Sequence, residues 1–308
     1  MGSGNAITFI YERVTRGFGD SVFLRVAILQ NIKEHPSDNH VLIIYGPAAP
    51  IFVDIENLVI HKVDRGTVGL RMLESSEIIK KYSNVVKFNL SSPCVEYEVA
   101  NQPNVFKSRQ EIFCDVVGVE MSQEYGVVFT DEEEDFADDF LCKYPACAGV
   151  HMWSADRWRD YWRIPNLVEL LANNFDGYVI CFDRQWRYTG RKKNIISCSS
   201  NDTGDDIRKS WAVMSRMLFG VGPDSWGVHA FGSVGVPLYG IFGPTNPRYR
   251  LLYPEVYWSP EYKRCNKQYC WYKPCADKIT GKRRFPCLNS RTSLFYLKDI
   301  KRKLGRFF

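Results

Sequence analysis

The sequence predicts an α/β protein made of two parallel-sheet halves in series, and three observations predict it. Short β-rich runs alternate with longer stretches of helical apolar spacing throughout the chain. Glycine-bearing turns stand where a strand gives way to a helix. The 308 residues exceed what one hydrophobic core organises, and domains of about 150 residues each follow from that limit.

Taken in order, residues 6–14 read as a strand, Gly17-Phe18-Gly19-Asp20 as a turn, and 22–33 as a helix ending before Pro36. The apolar run 41–45, closed by Gly46-Pro47, gives a second strand and a right-handed β-α-β unit. Strands at Leu58–Val63 and 85–88 and helices at 75–82 and 108–117 continue the alternation. The acidic run 131–139 starts a surface helix ending near Lys143, and Tyr144-Pro145 marks the domain boundary. Beyond it, strands are expected at 148–152, 177–182, 195–197 and 237–242, with helices at 165–173 and 206–219. A Gly-Pro-Asp loop then leads into a helix running through Ala230. Residues 1–145 and 146–290 are thus the two domains, and 291–308 form a basic amphipathic helix with Leu297, Ile300 and Leu304 on its apolar stripe.

Composition narrows the function classes. Hydrophobic residues at 45% and charged residues at 24% are ordinary for globular proteins, and no stretch has the ~18 uninterrupted apolar residues of a membrane span. The opening Met1-Gly2-Ser3-Gly4-Asn5 lacks the pattern of a secretory signal, so a cytoplasmic protein with reduced thiols is expected. A net charge of +5 is far milder than phosphate-driven nucleic-acid binding requires, and it suits an anionic small substrate.

Two constellations carry chemistry. Gly17-Phe18-Gly19-Asp20 lies at the carboxyl edge of the first strand, where ligands bind in open parallel sheets. Asp20 there can act on a ligand or cap the helix. The second is Gly220-Val221-Gly222-Pro223-Asp224-Ser225-Trp226-Gly227-Val228-His229, followed by Gly235-Val236-Pro237 and Phe242-Gly243-Pro244-Thr245-Asn246-Pro247. A helix starting near Ser225 presents unpaired N–H groups, an anion site for a diphosphate, and Thr245 is expected to donate another hydrogen bond at the same sheet edge.

The second constellation resembles the signature of glycosyltransferase family 9, which includes the ADP-heptose lipopolysaccharide heptosyltransferases, and Gly17 to Val22 resembles that family's opening segment. The resemblance implies a GT-B fold of two facing Rossmann-like domains with parallel sheets, the acceptor on the first and the nucleotide-sugar donor on the second. It also implies that residues 291–308 pack back on the first domain, and that catalysis is inverting and needs neither metal nor cofactor. Asp20 matches the general base, and Gly19, Asp224, Ser225, Trp226, Gly227, His229 and Thr245 match donor-binding positions. Trp226 stands where the family loop is often small, able to stack on a base or sugar or to fill the interdomain cleft. His229 is assigned to binding only. In place of the family's basic residue before Trp-Pro, the chain has Ala155-Asp156-Arg157-Trp158-Arg159, so Arg157 or Arg159 is expected to reach the phosphates or else to lie on the surface.

Cys265, Cys270, Cys275 and Cys287 would suit structural zinc, although their spacing lacks the close Cys-x2-Cys pairs of zinc knuckles and free thiols are the alternative. The lead function is transfer of a heptose or related sugar from an ADP- or other nucleotide-linked donor to a hydroxyl acceptor, a glycan. A virus-type enzyme that glycosylates a nucleic-acid base through the basic surface 263–284 is the alternative, as is a nucleotide-sugar-binding module without turnover. The basic tail also permits peripheral contact with an anionic membrane.

Overall fold

Six consecutive buried residues, Thr8–Arg13, form β1, an inner strand of a parallel sheet that buries the polar Thr8, Glu12 and Arg13 along with Phe9, Ile10 and Tyr11. The computed structural model describes residues 6–64, 66–102, 104–154, 157–183, 188–204, 206–261 and 286–308. They fall into two units, the first running to Asn101 and resuming over Val105–Val128, the second taking 102–104 and everything from Phe129.

In the first unit, β1 is followed by α1 (Phe18–Glu34), β2 (Asn39–Tyr45), a 3-10 segment (Gly46–Phe52), β3 (Leu58–Val63), α2 (Val68–Ile79), β4 (Val85–Asn89), α3 (Pro93–Ala100) and α4 (Arg109–Val117). The sheet order is β3-β2-β1-β4, all parallel, with Tyr11 in register with Leu42 and Phe88. Ile10, Val14, Val41, Ile43 and Val63 form the core on one face, with Ile78, Ile79 and Tyr82 packed against it. α1 packs against α4 and the 3-10 segment. Its buried Arg25 is held by Asp54 at 2.7 and 2.8 Å and by the Tyr125 and Ile51 carbonyls, tying residues 125–126 to this unit. α4 opens with a capping box between Ser108 and Glu111 and ends at Gly118, close to its expected limits. α2 instead starts seven residues before the expected 75, capped by Thr67. Its exposed Val68, Leu70, Met72 and Leu73 put apolar residues on the solvent side and blur the helical pattern.

The second unit carries α5 (Asp131–Leu141), β5 (Cys147–His151), α6 (Ile164–Ala172), β6 (Tyr178–Phe182), β7 (Ile195–Cys198), α7 (Ser200–Thr203), α8 (Ile207–Ser215), β8 (Phe219–Pro223), α9 (Trp226–Ser233), β9 (Leu238–Ile241), β10 (Val256–Trp258), α10 (Pro286–Asn289) and α11 (Ser293–Lys303). The parallel order is β10-β9-β8-β5-β6-β7. Three differences from the sequence expectation have physical causes. The unit begins at Phe129 rather than near 145, because α5 packs on α8 and buried Glu133 pairs with Arg208 at 2.9 Å; that acid does not belong to the solvated face. Residues 219–223 are a fully buried strand, not helix end and loop; a Cβ on Gly220 would sit 2.4 Å from Phe231, so glycine replaces the β-branched residue that would have advertised the strand. The terminal helix α11 packs on α6, burying Tyr296, Leu297 and Ile300 in the second unit's core, where the Tyr239 hydroxyl donates to Asp299 at 2.6 Å. The tail's apolar stripe is thus spent on that core. Among the described residues no helix is long and apolar enough to cross a membrane.

Candidate functional site

Each sheet reverses its strand order once, between β1 and β4 in the first unit and between β5 and β8 in the second. Crevices at the carboxyl ends of strands flanking such reversals are where open α/β sheets bind ligands. Asp20, Ser225 and His151 all lie beside these reversals.

In the first unit the chain leaves β1 and turns at Gly17, whose φ of 142° lies in a region that side-chain-bearing residues rarely adopt. A Cβ there would also come within 3.1 Å of Arg13 and 3.2 Å of Asp20. The turn brings Asp20 into the first turn of α1, next to Gly19. The N-cap residue of α1 is Gly17, not Asp20. Oδ2 of Asp20 accepts from Arg13 Nη2 at 3.1 Å and its Oδ1 from Arg109 Nη1, and its side chain keeps 19% of its surface exposed. Arg13, the last residue of β1, also donates to the Leu90 carbonyl beyond β4 at 2.8 Å, which links both strands of the reversal. Arg109, the first residue of α4, forks onto Glu98 of α3 at 2.8 and 2.7 Å. Cys94 completes the back of the cluster, its thiol pushed up to about 12 chiefly by burial.

In the second unit Asp224 follows β8 and is buried. The Thr245 hydroxyl donates to it at 2.6 Å, Arg159 Nη1 lies 3.5 Å away and His229 Nε2 3.9 Å away. Burial pushes the Asp224 carboxyl up, but Arg159 and Arg250, with His229 and Thr245, outweigh it and hold the group down at about 2. Asp224 therefore anchors the two arginines, and Thr245, expected to meet a ligand, spends its hydroxyl on Asp224. His229 Nδ1 is 3.2 Å from the Tyr253 hydroxyl, so this ring too has protein partners.

Ser225 is the N-cap residue of α9 yet makes no side-chain cap bond. Its Oγ lies 2.9 Å from Nδ1 of His151, the last residue of β5. Burial holds the His151 imidazole down at about 4, against an opposing pull from Asp183. Gly227 sits beneath this ring, where a Cβ would come within 2.1 Å. Trp226 sets its ring edge-on to His151 and Trp211, with centroids 6.1 and 6.3 Å apart, and its buried indole N–H has no acceptor among the described residues. The first-turn amides of α9 are thus left without a side-chain cap beside the strand-order reversal, the arrangement that attracts phosphate.

Of the remaining expected residues, Arg157 and Arg159 occupy a 3-10 turn after β5. Arg159 reaches Asp224 and stacks over Trp158 at 5.4 Å, whereas the Arg157 side chain is outside what the structure describes. Cys265, Cys270 and Cys275, and the basic surface 263–284, lie outside the described residues; Cys287 is buried. Sequence reasoning missed Arg13, Glu98 and Arg109 around Asp20, and His151, Arg250 and Tyr253 around the second motif. Arg13 and His151 carried one usable signal, a charged or polar residue closing a strand at a reversal. Arg109 lies 89 positions from Asp20 and carried none.

No sequence-family profile matches the chain, and no curated protein matches it by sequence. Solved structures do. The glycosyl transferase family 9 protein from Veillonella parvula DSM 2008 is 14% identical, covers 98% of this chain and 100% of its own length, and superposes with a TM-score of 0.69. The E. coli ADP-heptose LPS heptosyltransferase II is 12% identical over 97% of this chain and 99% of its own, TM-score 0.66. TibC, an iron-containing dodecameric glycosyltransferase from enterotoxigenic E. coli H10407, is 12% identical over 99% of this chain and 78% of its own, TM-score 0.64. The chain therefore has the two-sheet α/β fold of the GT-B glycosyltransferases, and over nearly its whole length it is similar to family 9 members.

Proposed function

We propose that the protein is an inverting, metal-independent glycosyltransferase that moves a heptose or related sugar from a nucleotide-sugar donor to a hydroxyl on a glycan. The observation that carries this reading is the uncapped N-terminus of α9 beside the strand-order reversal. It occurs in a fold shared with a heptosyltransferase named for ADP-heptose. In the reaction the acceptor oxygen bonds to the anomeric carbon as the bond from that carbon to the diphosphate breaks on the opposite face. Asp20 takes the acceptor proton, and the charge released onto the diphosphate is met by the α9 amides, with Arg159 and Arg250 nearby around Asp224. EDTA is expected to leave turnover unchanged.

The test is a thermal-shift screen against ADP-, GDP-, UDP- and dTDP-linked sugars, followed by coupled detection of nucleoside diphosphate release. An ADP-linked sugar at 100 times its dissociation constant should stabilise the fold by about 2.7 kcal/mol. Absence of stabilisation by every member of the panel would remove the reading.

A further inference from the structure

We infer that Arg109, locked by Glu98, is the positioning residue for Asp20, an inference that rests on the proposed glycosyltransferase reading. Each carboxylate oxygen of Asp20 is engaged by a different guanidinium, Oδ2 by Arg13 and Oδ1 by Arg109. A planar guanidinium that holds one partner through two parallel N–H···O bonds has no freedom left in its plane. Arg109 is in that state: Nε and Nη2 are committed to the two oxygens of Glu98 at 2.8 and 2.7 Å, so the direction of Nη1, and with it the setting of Asp20, is fixed from α3 and α4. Glu98 is 1% exposed and balances the charge of Arg109, so the fork orients Asp20 without adding net charge to the cluster. Arg13 is fixed independently by the Leu90 carbonyl. The carboxylate is thus held by anchors from β1 and from the α3–α4 pair. A base set this way acts through orientation, and a misplacement of about 1 Å costs on the order of 100-fold in rate.

The experiment compares full-length wild type with D20N, R109K, R109A, E98Q and the neutral pair E98Q/R109Q. It uses steady-state nucleoside diphosphate release from the nucleotide sugar that best stabilises wild type. R109A strands a buried carboxylate and can fail to fold; E98Q/R109Q removes both buried charges together and keeps the test open. A positioning role lowers kcat about 100-fold in R109A and in E98Q/R109Q, leaves the donor KM within about twofold, and restores part of kcat when free guanidinium is added to R109A. R109K should recover little, because an ammonium cannot reproduce the fork. Wild-type kcat in E98Q/R109Q, or a loss confined to KM, with D20N still inactive, overturns the inference and leaves the glycosyltransferase reading standing. Wild type that turns over no nucleotide sugar overturns both.

Discussion

Ser225 and His151 meet across the strand-order reversal of the second sheet, with Oγ and Nδ1 2.9 Å apart. That contact draws the serine hydroxyl away from the helix it would otherwise cap, and Ser225 makes no side-chain cap bond to α9. Burial holds the His151 imidazole in that contact low.

The first prediction concerns that imidazole. Its folded value of about 4 lies below the ordinary 6.5, so between those pH values the unfolded chain binds a proton that the native state does not. Stability from this group is complete above 6.5 and falls as the pH drops toward 4, by up to about 3 kcal/mol. His40 and His61 are shifted in the same direction, so the wild-type loss includes theirs. Urea melts of wild type and H151Q at pH 7 and pH 5 isolate the difference: H151Q should lose less stability between the two, and parallel losses would contradict the assignment.

Asp224 gives a second acid transition. Its folded value of about 2 lies below the ordinary 3.8, so its stabilisation is present above 3.8 and disappears as the pH falls through 2. The amount is about 2 kcal/mol. D224N should be less stable than wild type at pH 7, by about 3 kcal/mol because Arg159 and Arg250 lose their buried counter-charge, and the gap should narrow in acid. A constant gap from pH 7 to pH 3 would be the wrong outcome.

Thr245 serves Asp224 and not a ligand directly. T245V removes the 2.6 Å hydrogen bond to a buried carboxylate and should cost about 1.5–3 kcal/mol in chemical denaturation. Unchanged stability with weakened donor binding would show that the hydroxyl turns to the ligand instead.

Gly17 is tested by G17A. The positive φ and the nearness of Arg13 and Asp20 predict a loss of about 1–3 kcal/mol, together with slower turnover, since the shift falls on Asp20. A neutral substitution in both respects would show that the turn is not what sets the carboxylate.

Much of this was legible in the sequence because the local signals agreed with the global fold. Strands β2, β5 and β6 are buried on both sides and therefore apolar enough to read, and α4 carries its own start and stop in Ser108, Glu111 and Gly118. β8 was hidden because Gly220 and Gly222 make room for Phe231 and His151, which removes the side chains that mark a strand. Asp20 was visible as a turn at a strand end, and Ser225 as the start of a helix after a Gly-Pro-Asp loop. Their partners were not: Glu98 and Arg109 reach Asp20 only through the packing of α3 and α4, and Arg250 reaches Asp224 only through the fold around β9. The same blindness explains the terminal helix, whose amphipathic stripe specifies a buried face without naming the surface that receives it.

The central claim is a diphosphate held at the head of α9. A crystal structure of the protein soaked with an ADP-linked sugar tests it most directly. A diphosphate at the head of α9 should give phosphate density within hydrogen-bond distance of the Trp226 and Gly227 amides, with Ser225 and His151 beside it; well-ordered nucleotide bound elsewhere, with those amides unoccupied, rules that binding mode out.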